Sequence, residues 1–267
     1  MKKKVFNNFR ELVYERSGIS LGDNKISLVR ARIAKRMRQL NMSDFGDYFN
    51  FVSDPKNPGE VQELVDAVST NVTNFYREAD HFEFMRKVIQ DWIHSGKRHL
   101  RFWSAACSTG EEPYTMAIEI LEAIGSNSVN AKILATDINS TVLEKCFLGE
   151  YDQEHIEPVP KMILGKYFNQ RKVDGKCIYF AGKKLKDLVL CRQINLSAPP
   201  FPLKTKLDII FCRNVMIYFD RYVRTNLVNE FHRLLNPGGY LFVGHAESIT
   251  GISKGFECLQ PSVYKKK

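Results

Sequence analysis

The chain has 267 residues, 44% of them hydrophobic, a formal charge of +9 and six cysteines. That length supports one large or two modest domains with proper cores, and no apolar run reaches membrane-spanning length. The cysteines form no C-x-x-C pair and the histidines no H-E-x-x-H, which argues against a metal site and for a reducing, cytoplasmic setting, while the positive charge calls for an acidic partner: nucleic acid, anionic membrane or an acidic protein surface.

The first residues, Met1 to Arg10, are basic but carry polar residues where a secretory signal needs an apolar stretch, so no such signal is expected. Up to about Val72 the pattern is helical. Phe6, Phe9, Leu12 and Val13 mark one apolar face, and Ile26, Val29, Ile33, Met37 and Leu40 form a cleaner stripe. Between Lys25 and Arg38 lie six basic residues and no acidic one. Helical spacing puts Lys25, Arg32 and Arg36 on one edge of that stripe. A charge run on a helix is usually a solvated face; with no acid in the run to pair with, this edge is expected to be a docking surface. Short helices are expected around Phe45–Val52 and Val61–Val68, separated by the turn Asp54-Pro-Lys-Asn-Pro-Gly59.

From Arg98 the pattern alternates strand and helix, as a parallel sheet requires. Leu100 to Trp103 is extended, Ser104 to Gly110 is a run of small residues, and Pro113, Ala117, Ile118, Leu121 and Ile124 signal a helix. Strand, tight turn and helix N-terminus build nucleotide pockets in open parallel sheets. Dinucleotide sites use several glycines there and a helix N-terminus for pyrophosphate. Here only Gly110 is present, and Glu111 and Glu112 occupy the place of the phosphates. Repulsion disfavours a dinucleotide, whereas S-adenosylmethionine has no phosphate and carries an ammonium and a sulfonium. The plainer reading is that both glutamates merely complement the helix macrodipole. The second strand, Ala131 to Thr136, runs into Asp137, well placed to accept both ribose hydroxyls. Asp137 also has an alternative role as a helix N-cap, although Asn139 or Ser140 is able to take that role instead.

Further strands are expected at Leu188–Asn195, Leu207–Cys212 and Tyr240–Gly244. A helix over Tyr222–Leu235 stops at Asn236-Pro-Gly-Gly239. Phe256–Gln260 and Ser262–Tyr264 suit a closing antiparallel hairpin. Between Gly149 and Asp187 the alternation lapses, and Lys172 to Phe180, centred on Asp174-Gly175, reads as a β-hairpin in a small insertion hanging off the sheet edge. His245, in a Gly-His turn after a strand, reads as a satisfied turn histidine.

Several further segments join the small-residue turn: Ser69-Thr-Asn-Val-Thr-Asn-Phe-Tyr-Arg77, Phe211-Cys-Arg-Asn-Val-Met-Ile-Tyr-Phe219 and Asn236-Pro-Gly-Gly-Tyr-Leu-Phe-Val-Gly-His-Ala-Glu-Ser248. In this order, and with Ala105-Ala-Cys-Ser-Thr-Gly-Glu-Glu-Pro-Tyr114 and Ala135-Thr-Asp-Ile138, the chain closely resembles the chemotaxis-receptor glutamate methyltransferases (CheR-type) over essentially its whole length. The resemblance implies an α/β fold: a class I, Rossmann-like methyltransferase with a mostly parallel sheet, an N-terminal helical domain (1–72), a linker and connecting helix (73–97), and a methyltransferase domain (98–267) with an inserted antiparallel β-subdomain (149–187).

It further implies S-adenosylmethionine as donor and S-adenosylhomocysteine as product. Carried over position by position, Asn71, Thr73 and Arg77 would contact the cofactor from the linker. Glu112 and Asp137 would hold its amino-acid and ribose portions, Asn195 and Leu196 would flank the adenine, and Arg213 and Asn214 would complete the pocket. Arg77 and Tyr218 would face the reacting methyl. The implied partners are glutamate-rich cytoplasmic helices of chemotaxis receptors, with no nucleic acid, no membrane insertion and a monomeric enzyme. Arg77 has a plainer reading as an ion-pair partner for Glu78 or Asp80, and Asn195 as a strand-end turn former. A nucleic-acid methyltransferase, the rival that the charge suggests, needs acceptors such as Asn/Asp-Pro-Pro-aromatic after the fourth strand, where this chain has Asn214-Val-Met-Ile-Tyr218.

Overall fold

The computed structural model describes residues 1–267. Its first part is a layer of four helices: α1 (Lys3–Ser17), α2 (Ile26–Gln39), α3 (Phe45–Ser53) and α4 (Glu60–Val68). Phe6, Phe9 and Val13 of α1 pack with Val29, Ile33 and Met37 of α2 and Tyr48 of α3 in one core, as the apolar stripes predict. Helix α1 ends at Gly18, whose φ of +70° suits glycine, and a Cβ there would lie 2.4 Å from Ser197 Cβ. That close approach lets the helical layer lie directly against the second part of the chain.

A longer helix, α5 (Ala79–His94), leads into β1 (His99–Ala105), α6 (Glu111–Ile124), β2 (Asn130–Asp137) and α7 (Ser140–Leu148). The insertion follows: β3 (Glu150–Asp152), α8 (Gln153–Ile156), α9 (Lys161–Tyr167), β4 (Phe168–Val173), β5 (Lys176–Ala181) and α10 (Lys183–Lys186). The chain then completes its main sheet with β6 (Val189–Gln193), β7 (Leu207–Cys212), α11 (Arg221–Leu234), β8 (Leu235–Val243), β9 (Phe256–Gln260) and β10 (Val263–Lys266).

The seven-stranded sheet has the order β6-β2-β1-β7-β8-β10-β9, parallel except where β10 pairs antiparallel with its neighbours. Helices cover both faces, which is why β7 is buried at every position. One face packs Phe82 of α5 on Phe211 and Phe242 (ring centroids 5.4 and 4.4 Å apart along the stack), and the other packs Trp103 against Phe201 and Phe231. The chain leaves β1 towards β2 on one side and reaches β7 on the other. The crevice at that reversal, beyond the carboxyl ends of β1 and β7, is where open α/β sheets bind ligands.

Two expectations need correction. The β8 strand starts at Leu235, pairing with Leu207, so Asn236-Pro-Gly-Gly239 ends the helix but lies within the strand, at an irregularity of register. The insertion forms a three-stranded antiparallel sheet, β3-β5-β4, turning at Asp174-Gly175. It does not hang free: Tyr151, Ile156, Tyr167 and Phe168 join the core under α5 and α6, with Phe75 of the linker 4.8 Å from the Tyr151 ring. Its apolar side is too large to leave in water.

Candidate functional site

The turn after β1 brings backbone close to a future ligand. Ala106, Ser108 and Gly110 have φ values of +70°, +49° and +100°. A Cβ at Gly110 would come within 2.8 Å of Cys146 Sγ and Tyr151 Oη, so this glycine is required by both conformation and space. The turn is fixed by Asp137 at the end of β2, whose Oδ2 accepts from Ser108 N and Oδ1 from Asn139 N, both at 2.9 Å. Asn139 caps α7, accepting from Val142 N at 3.1 Å, so Asp137 is not the cap. Burial pushes the Asp137 carboxyl up, against the pull of those N–H donors. Each oxygen retains a lone pair for a ligand hydroxyl.

Glu112, on the first turn of α6, is held by Ser104 Oγ at 2.6 Å and by Arg213 Nη1 at 3.2 Å. Burial raises its pKa, with the Arg213 charge opposing. Arg213 itself is 1% exposed and donates to Glu78 Oε2 and to the Arg77 carbonyl, lying over the Phe82 and Phe211 rings. Glu78 also accepts from Asn214 Nδ2 at 3.1 Å. Burial works against its charge, but Arg213, Asn214 and the His245 N–H outweigh it and hold Glu78 below the usual carboxylate range. Tyr76, Glu78 and Asn214 all sit at positive φ, so the segments joined by this network are strained where they reach the crevice.

These elements enclose a cavity of about 320 Å³, within the usual range for small-molecule sites. Asn71, Thr73, Arg77, Glu112, Asp137, Asn195, Leu196, Arg213, Asn214 and Tyr218 all line it, brought together from four strand ends and the linker, and Lys25 and Arg32 face it from the helical layer. Arg77 is not an ion-pair partner for Glu78 or Asp80, because Arg213 takes Glu78; its Nη1 donates to the Val72 carbonyl at 2.8 Å. Asn195 does form a turn, accepting from Ser197 N at 3.0 Å, and its Nδ2 reaches the Arg16 carbonyl at 2.9 Å. Tyr218 sits under Lys25 Nζ, 4.7 Å from the ring centre.

The basic edge of α2 is not one surface. Arg36 is committed to Glu60 (Nε–Oε1 2.9 Å, Nη2–Oε2 2.7 Å) and to Glu63 at 3.0 Å. The acids missing from α2 come from α4, so Arg36 is an internal tie and not a docking residue. Arg32 donates to the Val68 and Ser69 carbonyls at 2.6 and 2.7 Å, capping the end of α4 and fixing the start of the linker. Of the three, only Lys25 makes neither a side-chain hydrogen bond nor an ion pair, its Nζ lying over the Tyr218 ring.

Three residues central to the site have no motif of their own. Glu78 follows Arg77 without a spacing signal. Ser104 is one small residue among several. Glu247 accepts backbone N–H bonds from Asn214, Gly244 and Ile217 (2.8, 2.7 and 3.2 Å) and so shapes the loop that presents Tyr218. The helical layer is tied to the cofactor turn by Gln62 to the Ile138 carbonyl, Asn139 to Ser69 and Ser108 to the Asn71 carbonyl (2.9, 2.7 and 2.8 Å).

A parallel sheet whose switch point offers one buried and one largely buried carboxylate and a single glycine turn, with no phosphate cradle, suits a cationic, hydroxyl-bearing nucleoside and defines an S-adenosylmethionine-dependent methyltransferase. Residues 71–265 match the family described as "CheR methyltransferase, SAM binding domain", and residues 4–69 match "CheR methyltransferase, all-alpha domain". The chain belongs to the CheR methyltransferase family, and its cofactor is S-adenosylmethionine. It is 40% identical to a chemotaxis protein methyltransferase of Borreliella burgdorferi, over 99% of this chain and 94% of that one. It is 38% identical to chemotaxis protein methyltransferase 2 of Pseudomonas aeruginosa (98% and 92% covered) and 35% identical to the Escherichia coli chemotaxis protein methyltransferase (97% and 89% covered). No helix is long and apolar enough to cross a membrane.

Proposed function

We propose that this chain transfers the methyl group of S-adenosylmethionine to glutamate side chains on the glutamate-rich cytoplasmic helices of chemotaxis receptors, forming γ-methyl esters and S-adenosylhomocysteine. The observation that carries this reading is the charge layout of the cavity. Its only carboxylates, Glu112 and Asp137, are both committed at the cofactor side, while Lys25, Arg32 and Arg77 line it from the helical layer and linker, and no histidine lines it. That layout suits an anionic acceptor needing no general base.

When bound, the cofactor supplies an electrophilic methyl on its sulfonium. The chain's own residues bind and orient. Asp137 accepts from the ribose hydroxyls, Glu112 attracts the amino end, and Asn195 and Leu196 flank the base. A glutamate with an ordinary pKa of ~4.3 is already ionised near neutrality, so proton removal is not required. Arg77 and Tyr218 hold the acceptor carboxylate in line, and the helical layer keeps water out, where charge annihilation is favoured by a dry site. Positioning of this kind is worth up to ~7–11 kcal/mol in favourable systems.

The test is transfer of tritiated methyl from S-adenosylmethionine to membranes containing candidate receptors, followed by base-labile release as an ester requires. Label that resists base, or that enters RNA or DNA in preference to receptor, overturns the reading.

A further inference from the structure

His81, on the first turn of α5, is fully buried, with the Phe242 and His245 rings edge-on at 5.4 and 4.9 Å between centroids. Its Nε2 lies 2.7 Å from Ser262 Oγ. The single hydroxyl proton of Ser262 goes to the Pro261 carbonyl at 2.5 Å. Nε2 therefore carries the ring proton and donates it to Ser262 Oγ. With the ring proton on Nε2, Nδ1 presents its lone pair. That atom is buried without any hydrogen-bond partner and faces Glu78 Oε2 at 3.6 Å. Two electron-pair donors facing each other with no proton between them are a costly buried arrangement that a cation relieves.

His245, half-exposed after β8, completes the group. One donor atom from each of Glu78, His81 and His245 lies within 4.8 Å of the others. A tetrahedral ion about 2.0–2.2 Å from its ligands sets them about 3.4 Å apart, so these donors need to close by roughly 1.5 Å at most. Glu78 and His81 have the Glu-x-x-His spacing that places both side chains on one helical face. None of the three lines the cofactor cavity.

We propose that Glu78, His81 and His245 form a binding site for a divalent transition-metal ion, with Ser262 orienting His81. Two imidazoles and one carboxylate select zinc or its neighbours over magnesium or calcium, which want oxygen ligands throughout. A histidine ligand whose second nitrogen donates to a neighbouring group is the usual supporting arrangement. Asp80, whose carboxylate lies 3.2 Å from His245 Nε2, adds negative charge beside the site. Arg213 competes for Glu78 Oε2, and Glu112 remains to hold that guanidinium when the ion takes Glu78.

Sequence spacing hid the group, because His245 is 164 positions beyond His81 (245 − 81) and the Glu78–His81 pair alone is too short to signal a site.

The test is a titration of metal-free, full-length protein with Co²⁺, followed by displacement with Zn²⁺. The expected result is one saturable site with tetrahedral d–d bands and no sulfur-to-cobalt charge transfer, since the rival is the Cys146–Cys191 thiol pair, 3.6 Å apart. His245→Ala, a substitution at an exposed residue outside the cavity, is expected to bind Co²⁺ at least ~10-fold more weakly with an unchanged circular dichroism spectrum. Ser262→Ala, which keeps all three ligands, is expected to lose ~10–100-fold. Absence of saturable binding, a thiolate band, or wild-type affinity in His245→Ala overturns the proposal.

Discussion

Arg213 reaches Glu78 Oε2 with two nitrogens, Nη2 at 3.0 Å and Nε at 3.2 Å, joining the end of β7 to the linker that enters α5. The same guanidinium holds Glu112 and the Arg77 carbonyl. One buried cation thus sets the relative positions of three segments that line or back the cavity.

Removing that cation leaves two largely buried carboxylates unpaired. Arg213→Met is expected to lower stability by about 3–5 kcal/mol, the usual penalty for breaking a buried pair from one side. The pH dependence has a definite sign. Without Arg213, Glu78 loses the charge that does most to lower its folded-state pKa, and Glu112, already raised by burial, rises further, so the penalty is largest near neutrality and is relieved as both protonate in acid. Urea unfolding of the variant and the parent should show the gap narrowing between about pH 7 and pH 5. A gap that is constant over that window means the two carboxylates are not its source.

Asp137 is expected to contribute ~1–3 kcal/mol to cofactor binding through charge-assisted hydrogen bonds to the ribose. Each of its oxygens already accepts one backbone N–H. Asp137→Asn therefore turns an amide NH₂ against a donor whichever way it is placed, and Asp137→Asn and Asp137→Ala should weaken S-adenosylhomocysteine binding to a similar extent. Calorimetry decides, and unchanged affinity in both variants would confine Asp137 to shaping the turn.

Much of this site was legible in the chain because its signals are local. The small-residue turn, the acidic pair and the strand ending in Asp137 each announce themselves within a few residues. The fold followed from strand and helix alternation, and the hairpin from Asp174-Gly175. What was not legible is pairing across distance. Arg36 has no acid within its own helix, and only the packing of α2 on α4 brings Glu60 and Glu63 to it. Glu78 acts on Arg213, and Glu247 on the backbone N–H groups of Asn214 and Ile217, across separations that no periodicity encodes. The sequence offered Asn139 or Ser140 as the cap of α7, and the structure gives it to Asn139.

The Arg36–Glu60 tie makes a prediction about acid. Burial raises the Glu60 pKa, but hydrogen bonds from Arg36 and Tyr48 outweigh it and leave the carboxyl below its ordinary value. Its stabilisation is present above the unfolded value of ~4.3 and is lost as pH falls through the lower folded value. Arg36→Ala should cost stability at neutral pH and show less further loss between about pH 5 and pH 3 than the parent. Cofactor affinity should be unchanged in this variant. A parent and variant with the same acid profile would show that Glu60 does not depend on Arg36.

Lys25 is the member of the basic edge left for substrate. It lies over the Tyr218 ring and lines the cavity. Lys25→Glu should raise KM for receptor several-fold while leaving S-adenosylhomocysteine affinity intact, and the parent's rate should fall with salt as screening weakens encounter. Equal KM values across a salt titration would make Lys25 a packing partner of Tyr218 and nothing more.

Arg77 and Tyr218 carry the sharpest expectation. Arg77 lines the cavity from the linker, with Nη1 on the Val72 carbonyl and the remaining donors unassigned to any carboxylate. A guanidinium in that position holds a carboxylate in a two-pronged fork, whether that of the cofactor or of the incoming glutamate, and lysine does not reproduce that geometry. Tyr218 is fixed from both sides: its carbonyl accepts from Ser20 N at 2.8 Å and its loop is gathered by Glu247. Arg77→Lys should therefore fold normally and lose most of its transfer rate. Tyr218→Phe should lose rate with less effect on cofactor affinity, because the hydroxyl is removed while the ring under Lys25 stays. Steady-state kinetics and calorimetry on both variants separate the two roles, and near-parental turnover in Arg77→Lys would place Arg77 away from the reacting centre.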